Sequence, residues 1–338
     1  YTLWHTLSLH DALPIYHTQL PIGRDFPWLA PLAGFSDLPF RLLCREMGCA
    51  VACTEMISAK GLIFRSPGTT DLLRTCSDDH PLVVQLFGSE REVIAEALTW
   101  LIEQGYQYFD LNAGCPVKKV VKTGAGAGLL QKPDQLVKIV SSMVDIAGPE
   151  RVGVKLRSGW ACGQEIMAWI KELDFLGLGW VSLHPRTAKQ GYAGWADWKV
   201  LSAASRELNI PVLASGDLFT AGDGLQCMQE TGVSGVMFAR GALADPGIFA
   251  TYLQILRGEE DEAHGPHEGR QRALGMARRH IALMHMYGKG DRDLFRMRTI
   301  IPRYLRGFAR VKNIRKQVVA CTTWPDLLKC LDDVEVEL

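Results

Sequence analysis

Eight short apolar runs, most of them followed by an amphipathic segment, set the tightest limit on what this chain can fold into. They are Trp28–Gly34, Ala50–Glu55, Pro81–Phe87, Tyr108–Asn112, Val152–Leu156, Gly179–His184, Ile210–Ser215 and Gly235–Ala239. Helical spacing is predicted over Asp37–Gly48, Glu90–Gln104, Pro133–Ile146, Glu165–Leu176, Ala221–Thr231 and Pro246–Leu256, with Asp37 as a helix N-cap. Buried strands alternating with helices belong to a parallel sheet covered on its faces. From Trp28 to Arg257 the unit takes 230 residues, near the roughly 250 of a (β/α)8 TIM barrel. An open doubly wound sheet is weaker, because no dinucleotide fingerprint follows the first run.

The C-terminal ends of these runs share a chemical character. In order they carry Pro31 to Gly34, Glu55, Gln85, Asn112 with Cys115, Lys155 with Arg157, His184 with Arg186, Ser215-Gly216-Asp217, and Arg240-Gly241. Barrel enzymes keep their chemistry at this end. Lys155 and Arg157 are two apart on a strand, so both point to the same side, here the barrel mouth. A lone cysteine is more often a buried structural residue. The polar ring around Cys115 turns that reading towards a reactive thiol.

The last two strand ends, Ala214 to Asp217 and Phe238 to Gly241, combine small residues with Arg240. Small residues let backbone N–H groups approach an anion, and strands 7 and 8 are a frequent phosphate site in barrels. A phosphate there suits FMN. The glycine-rich stretch Thr123 to Gly128 lacks the Gly-Lys-Ser/Thr ending of a phosphate loop.

Beyond Arg257 the pattern changes. A charged, glycine- and proline-punctuated linker begins at Gly258, and helices are predicted over Gln271–Tyr287, Arg292–Phe308, Ile314–Cys321 and Asp326–Val334. From Pro266 to Lys316 there are fourteen Lys/Arg and three Asp/Glu, a formal +11 inside a chain with 37 of each sign. Such an excess is the footprint of a polyanion partner. Three units are expected: 1–18, extraneous or disordered; 19–257, a catalytic FMN-binding barrel; and 258–338, a helical RNA-binding domain. Nine cysteines without a paired framework or a metal-ligand spacing fit a reducing compartment, and no metal is expected. No run reaches the ~18 apolar residues of a membrane span. A cytoplasmic monomer is expected.

These parts suit reduction of a pyrimidine. Hydride from a reduced flavin adds at C6 of uracil, and an ordinary thiol, mostly protonated at neutral pH, supplies the proton at C5. A base within RNA must first be flipped out of its stack.

The stretches 29–41 (LAPLAGFSDLPFR), 85–90 (QLFGSE), 110–133 (DLNAGCPVKKVVKTGAGAGLLQKP), 153–160 (GVKLRSGW), 183–192 (LHPRTAKQGY), 214–218 (ASGDL) and 238–243 (FARGAL) resemble the bacterial tRNA-dihydrouridine synthase family. The resemblance implies FMN, NADPH or NADH as reductant, and reduction of specific uridines in tRNA. It makes Cys115 the catalytic proton donor on a mobile loop. It assigns the flavin to Pro31, Leu32, Ala33, Gln85, Lys155 and His184, with Ser215, Gly216, Asp217, Ala239 and Arg240 at its phosphate end. Asn112, Arg157 and Tyr192 fall to the substrate nucleotide. Ser215 stands where the family usually has Asn, Ala239 where it has Gly, and Pro185 where Gly is more usual. A flavin barrel acting on a free dihydropyrimidine or orotate is the nearest alternative. A non-catalytic RNA-binding protein is the other.

Overall fold

The computed structural model describes residues 19–259, 266–306, 308 and 310–336. The expected N-terminal unit 1–18 and most of the expected linker lie outside the described residues.

The strands are β1 (Trp28–Leu29), β2 (Val51–Cys53), β3 (Ile57–Ser58), β4 (Leu82–Phe87), β5 (Tyr108–Ala113), β6 (Val152–Gly159), β7 (Trp180–Thr187), β8 (Val212–Ala214) and β9 (Gly235–Phe238). All pairings are parallel. β1 pairs with β2 and with β9, and β2 pairs with β4, so eight strands close into a barrel. β3 is a short addition on β4 that the sequence pattern did not indicate.

Alternation along the strands sorts the side chains. Leu29, Ala52, Val84, Phe109, Val154, Val181, Val212 and Val236 face outward into the layer between strands and helices. The opposite faces of the same strands fill the barrel. Trp28, Val51, Cys53, Val83, Trp180, Leu213 and Met237 make its apolar floor. Further along most of the strands this inward face becomes polar, with Glu55, Gln85, Lys155, Ser182 and Ser215, while β1 and β9 continue into the small residues Ala30 and Ala239. The change from floor to mouth places the chemistry.

Asp37 caps the helix Leu38–Glu46 as expected, accepting from Phe40 N at 3.2 Å. The expected helix over Glu165–Leu176 is instead two 3-10 turns, Glu165–Ala168 and Ile170–Phe175, parted by Trp169 with φ at −139°. The Glu165 carboxylate accepts from Trp160, Ala161 and Cys162 backbone N–H groups, which ties that segment to the preceding turn. A helix over Trp198–Glu207, capped by Asp197, was not among those expected.

Four helices follow the barrel: Pro266–Tyr287, Arg292–Tyr304, Val311–Ala320 and Trp324–Val336. Leu274, Ala277, Ile281 and Met284 of the first pack in one apolar cluster with Leu38, Leu42 and Leu43 of the barrel helix Leu38–Glu46. Among the described residues, several of the cations counted in the sequence are tied to carboxylates. Arg272 meets Asp245, Arg278 meets Asp332 and Glu335, Arg279 meets Glu46, Lys289 meets Asp71, and Arg296 meets Asp37. Part of the basic excess therefore docks the helices onto the barrel.

Candidate active site

The site is best followed outward from the barrel interior. Gln85 is fully buried on β4, and its Nε2 donates to Asp110 Oδ2 at 2.7 Å. Burial pushes the Asp110 carboxyl up to about 7, opposed by the Gln85 hydrogen bond and the nearby Lys155 charge. Lys155 on β6 is half-buried, and loss of water around its ammonium brings it down to about 8.

At the end of β5 the chain turns through Gly114, and Asn112 Oδ1 accepts from Gly114 N at 3.2 Å and Cys115 N at 2.9 Å. This side chain builds the turn that presents the thiol. Asn112 Nδ2 donates to Gln85 Oε1 at 2.8 Å. Each end of the Asn112 amide thus makes a hydrogen bond within the protein. Gln85 is likewise bonded at both ends.

The glycine-rich stretch packs against the Cys115 turn. Residues Gly126–Gln131 form a 3-10 helix that is buried over Gly126 to Leu130, and Ala127 N donates to Cys115 O at 2.9 Å. Gly126 has φ +59°, and a Cβ there would sit 2.7 Å from Cys115 O. Its close approach explains the glycine.

Arg157 is buried and grips three carbonyls, Gly114 O at 2.8 Å, Thr187 O at 2.9 Å and Gly191 O at 2.7 Å. It joins the Cys115 turn to the loop that carries Tyr192, whose ring centre lies 5.4 Å from its guanidinium. Cys115 is near enough to Lys155 and Arg157 to act on both electrostatically.

A cavity of about 90 Å³ opens beside this turn. Pro31, Leu32, Lys155, His184, Tyr192, Ser215, Gly216, Asp217, Ala239 and Arg240, all expected site residues, line it together with Ala30, Leu218, Phe219 and Met237. Ala33, Gln85, Asn112, Cys115 and Arg157 stand outside its lining. Gly216 has φ +140°, and a Cβ would meet His184 Cδ2 at 2.6 Å, so the backbone forms this wall. His184 is buried, and burial together with Lys155, Arg157, Arg186 and Arg240 pushes it down to about 2. Its ring is neutral at any physiological pH.

Arg186 was noted at a strand end in the sequence but given no role. It forks onto Asp217, Nη1 to Oδ1 at 2.6 Å and Nη2 to Oδ2 at 2.7 Å. Burial raises the Asp217 carboxyl, yet the hydrogen bonds of Arg186 and Ala196 and the charges of Arg186 and Arg240 together hold it below the usual carboxylate range. Asp217 therefore faces cations of its own chain, and only its backbone suits a phosphate. Arg240 pairs with Asp217 at 3.0 Å and lies between the Tyr192 and Phe219 rings, 4.8 Å from each. Lys155, Arg157, Arg186 and Arg240 outnumber Asp217, so the donor set fits an anionic group. The inward parity of Asp110 and Arg186, shared with Asn112 and His184, was the available signal for both missed residues.

A closed parallel barrel with a thiol and a cationic cavity at its C-terminal mouth defines a barrel enzyme. The family model for dihydrouridine synthase (Dus) matches residues 28–337. The chain belongs to this family, whose members are oxidoreductases acting on a CH–CH bond. It is 34% identical over 295 residues to the probable tRNA-dihydrouridine synthase 1 of Synechocystis sp., covering 86% of this chain and 80% of that one. It is 34% identical over 229 residues to tRNA-dihydrouridine synthase B of Xanthomonas campestris, covering 68% and 69% respectively. With the probable tRNA-dihydrouridine synthase of Mycobacterium tuberculosis it shares 33% over 319 residues, 90% and 80% of the two chains. Among solved structures, morphinone reductase superposes with a TM-score of 0.50 at 12% identity, covering 67% of this chain and 85% of that one. The 6-hydroxypseudooxynicotine amine oxidase of Pseudomonas geniculata superposes at 0.54 and 11%, covering 77% and 51%. At these identities the two structures show the barrel fold alone.

Proposed function

We propose that the protein is a tRNA-dihydrouridine synthase that reduces the C5=C6 bond of uridines in tRNA, with FMN as cofactor and NADPH or NADH as reductant. The observation that carries this reading is Cys115, held by Asn112 at the end of β5 and within electrostatic reach of Lys155, which lines a cavity with His184, Tyr192 and Arg240. Pro31, Leu32, Ala33, Lys155, His184, Ser215, Gly216, Ala239 and Arg240 would hold FMN, with the Asp217 backbone beside them. When bound and reduced, FMN supplies the hydride that adds at C6. Lys155 and the mouth arginines offset the negative charge of the phosphate and of the ring's carbonyl edge. The Cys115 S–H bond breaks as its proton passes to C5, and the thiolate left behind takes a proton from solvent. Neutral His184 can donate or accept one hydrogen bond without adding charge.

Arg157 orders the Cys115 turn and the Tyr192 loop together, so proton donor and nucleotide-facing ring keep one spacing. Tyr192 and Trp195 are 61% and 85% exposed at this mouth, and exposed aromatic faces suit an unstacked base. The expected unit 258–338 would carry the tRNA backbone on Arg292, Arg306, Lys312, Arg315 and Lys316, all exposed. Such a substrate is met in the cytoplasm, and no helix among the described residues is long and apolar enough to cross a membrane.

Purified protein should be yellow, and NADPH should bleach its visible band. Cys115→Ala should retain that bleaching yet lose nearly all uridine reduction in tRNA. Unchanged turnover would remove Cys115 from the chemistry, and a colourless protein that cannot be loaded with FMN would remove the cofactor.

A further inference from the structure

Beneath the thiol, three polar side chains run in single file. Asp110 Oδ2 accepts from Gln85 Nε2, Gln85 Oε1 accepts from Asn112 Nδ2, and Asn112 Oδ1 accepts from Cys115 N. All three are buried. In its ionised form, which burial opposes and the Gln85 and Trp180 donors and the Lys155 charge favour, a carboxylate can only accept, whereas an amide has one donating and one accepting end. The file therefore has a direction, and the residue at its foot sets it. Reversal would turn Asn112 Nδ2 towards the N–H of Cys115, donor against donor, and the turn would lose its tie.

We propose that Asp110 is a positioning residue, its acceptor-only carboxylate orienting the Gln85 and Asn112 amides so that Asn112 presents oxygen to Cys115. Asp110 Oδ1 and Trp180 Nε1 are both buried without another partner, and the indole lies near enough to favour the ionised carboxylate. An orphaned polar atom destabilises a fold, and a buried charge needs a compensating role. For its catalytic consequence, though not for its geometry, the inference rests on the reading of Cys115 as proton donor.

The direction can be moved one step along the file. Asp110→Asn offers Gln85 either end of an amide and no longer enforces an orientation. Asp110→Asn with Gln85→Glu keeps one carboxylate in the file and again obliges Asn112 to turn its nitrogen inward. The direct readout is alkylation of Cys115 by iodoacetamide, followed by peptide mass spectrometry, with exposed Cys162 as the internal reference. Asp110→Asn should change the Cys115 rate about tenfold or more, leave Cys162 unchanged, and lower turnover about tenfold with KM for tRNA within about twofold. The double variant should return both rates to within about twofold of the parent. A side chain that merely fills space predicts the reverse, since two buried changes should harm more than one. An unchanged Cys115 rate in the single variant, or a double variant no better than the single, overturns the proposal. If Asp110→Asn does not fold, a folded double variant with the parent rate supports it, and one that also fails to fold overturns it. Should Cys115→Ala keep its turnover, the proposed chemistry falls while the labelling result still stands.

Discussion

Arg296 Nη2 donates to the backbone carbonyl of Gly34 at 2.8 Å, joining a C-terminal helix to the loop that begins at the cavity wall. The same guanidinium meets Asp37 Oδ2 at 2.9 Å and Glu55 Oε1 at 3.7 Å, and Glu55 in turn accepts from Gly34 N. Arg296→Met should leave these acceptors poorly satisfied and lower stability by about 1–3 kcal/mol, read as a shift in urea midpoint. Arg296→Lys should recover only part of it, because an ammonium cannot reach several acceptors as a planar fork does. Equal stability of Met and Lys variants with the parent would show that the contact carries no weight.

Gly126→Ala should act on the thiol from the other side. The new methyl would meet Cys115 O at 2.7 Å and Val120 Cγ1 at 2.9 Å, in a left-handed backbone. The backbone conformation alone costs roughly 1–2 kcal/mol, and relief of the clash requires the Cys115 turn to shift. Turnover should fall at least about tenfold, the scale expected when a reacting group is displaced. Gly163→Ala, where a Cβ meets nothing within 4 Å, is the matched control and should behave as the parent.

His280 predicts how the fold responds to acid. Burial, aided by the Arg296 charge, pushes it down to about 3, while its Nδ1 lies 2.9 Å from the Tyr304 hydroxyl. An unfolded chain binds that proton near its ordinary value of 6.5, so acid favours unfolding between about 6.5 and about 3. The contribution is absent above that range and costs up to ~1.4 kcal/mol for each pH unit within it. Asp37, raised to about 6, and Asp110, raised to about 7, have the opposite sign. Each binds its proton more tightly in the folded state, so their part of the stability declines as pH rises through those values. His280→Gln should thus lose less stability than the parent between about pH 7 and about pH 5, measured by urea titration at each.

The basic helices should divide into two kinds of charge. Lys312, Arg315 and Lys316 are exposed on the helix Val311–Ala320, whereas Arg279 pairs with Glu46 at 2.6 Å. Removing any of the first three should reduce the slope of log affinity for tRNA against log salt by about 0.7–0.9 per lost phosphate contact. Arg279→Ala should leave that slope unchanged and cost less than about 1 kcal/mol, as a surface pair does. Equal slopes in all four variants would place the RNA elsewhere.

The strands were legible because a buried parallel strand is an uninterrupted apolar run: each barrel strand begins within one of the eight runs, although Tyr108–Ala113, Val152–Gly159 and Trp180–Thr187 continue past the run's end, where polar mouth residues interrupt it. The segment after Gly159 was misread because the spacing of Ile166, Ile170 and Leu173 looks helical whether or not Trp169 breaks the turn. Side-chain partners were harder. Asn112 reads equally well in sequence as a ligand contact or a turn former, and its bonds to Gln85 and to the Cys115 turn depend on a strand that no local pattern names. The +11 of the C-terminal helices was a sum along the chain. Glu46, Asp71, Asp245 and Asp37, which answer part of it, lie far away in sequence.

The barrel closes on its shortest strand. Trp28 and Leu29 alone pair β1 with Val51 and Ala52 on one side, and with Met237 and Phe238 on the other. A ring of strands offers no edge to other molecules, whereas an open sheet offers two. Withdrawing this two-residue stitch would convert a closed, self-satisfied surface into an adhesive one. The shortest run of pairing in the barrel thus lies directly before Ala30 and Pro31, which line its cavity.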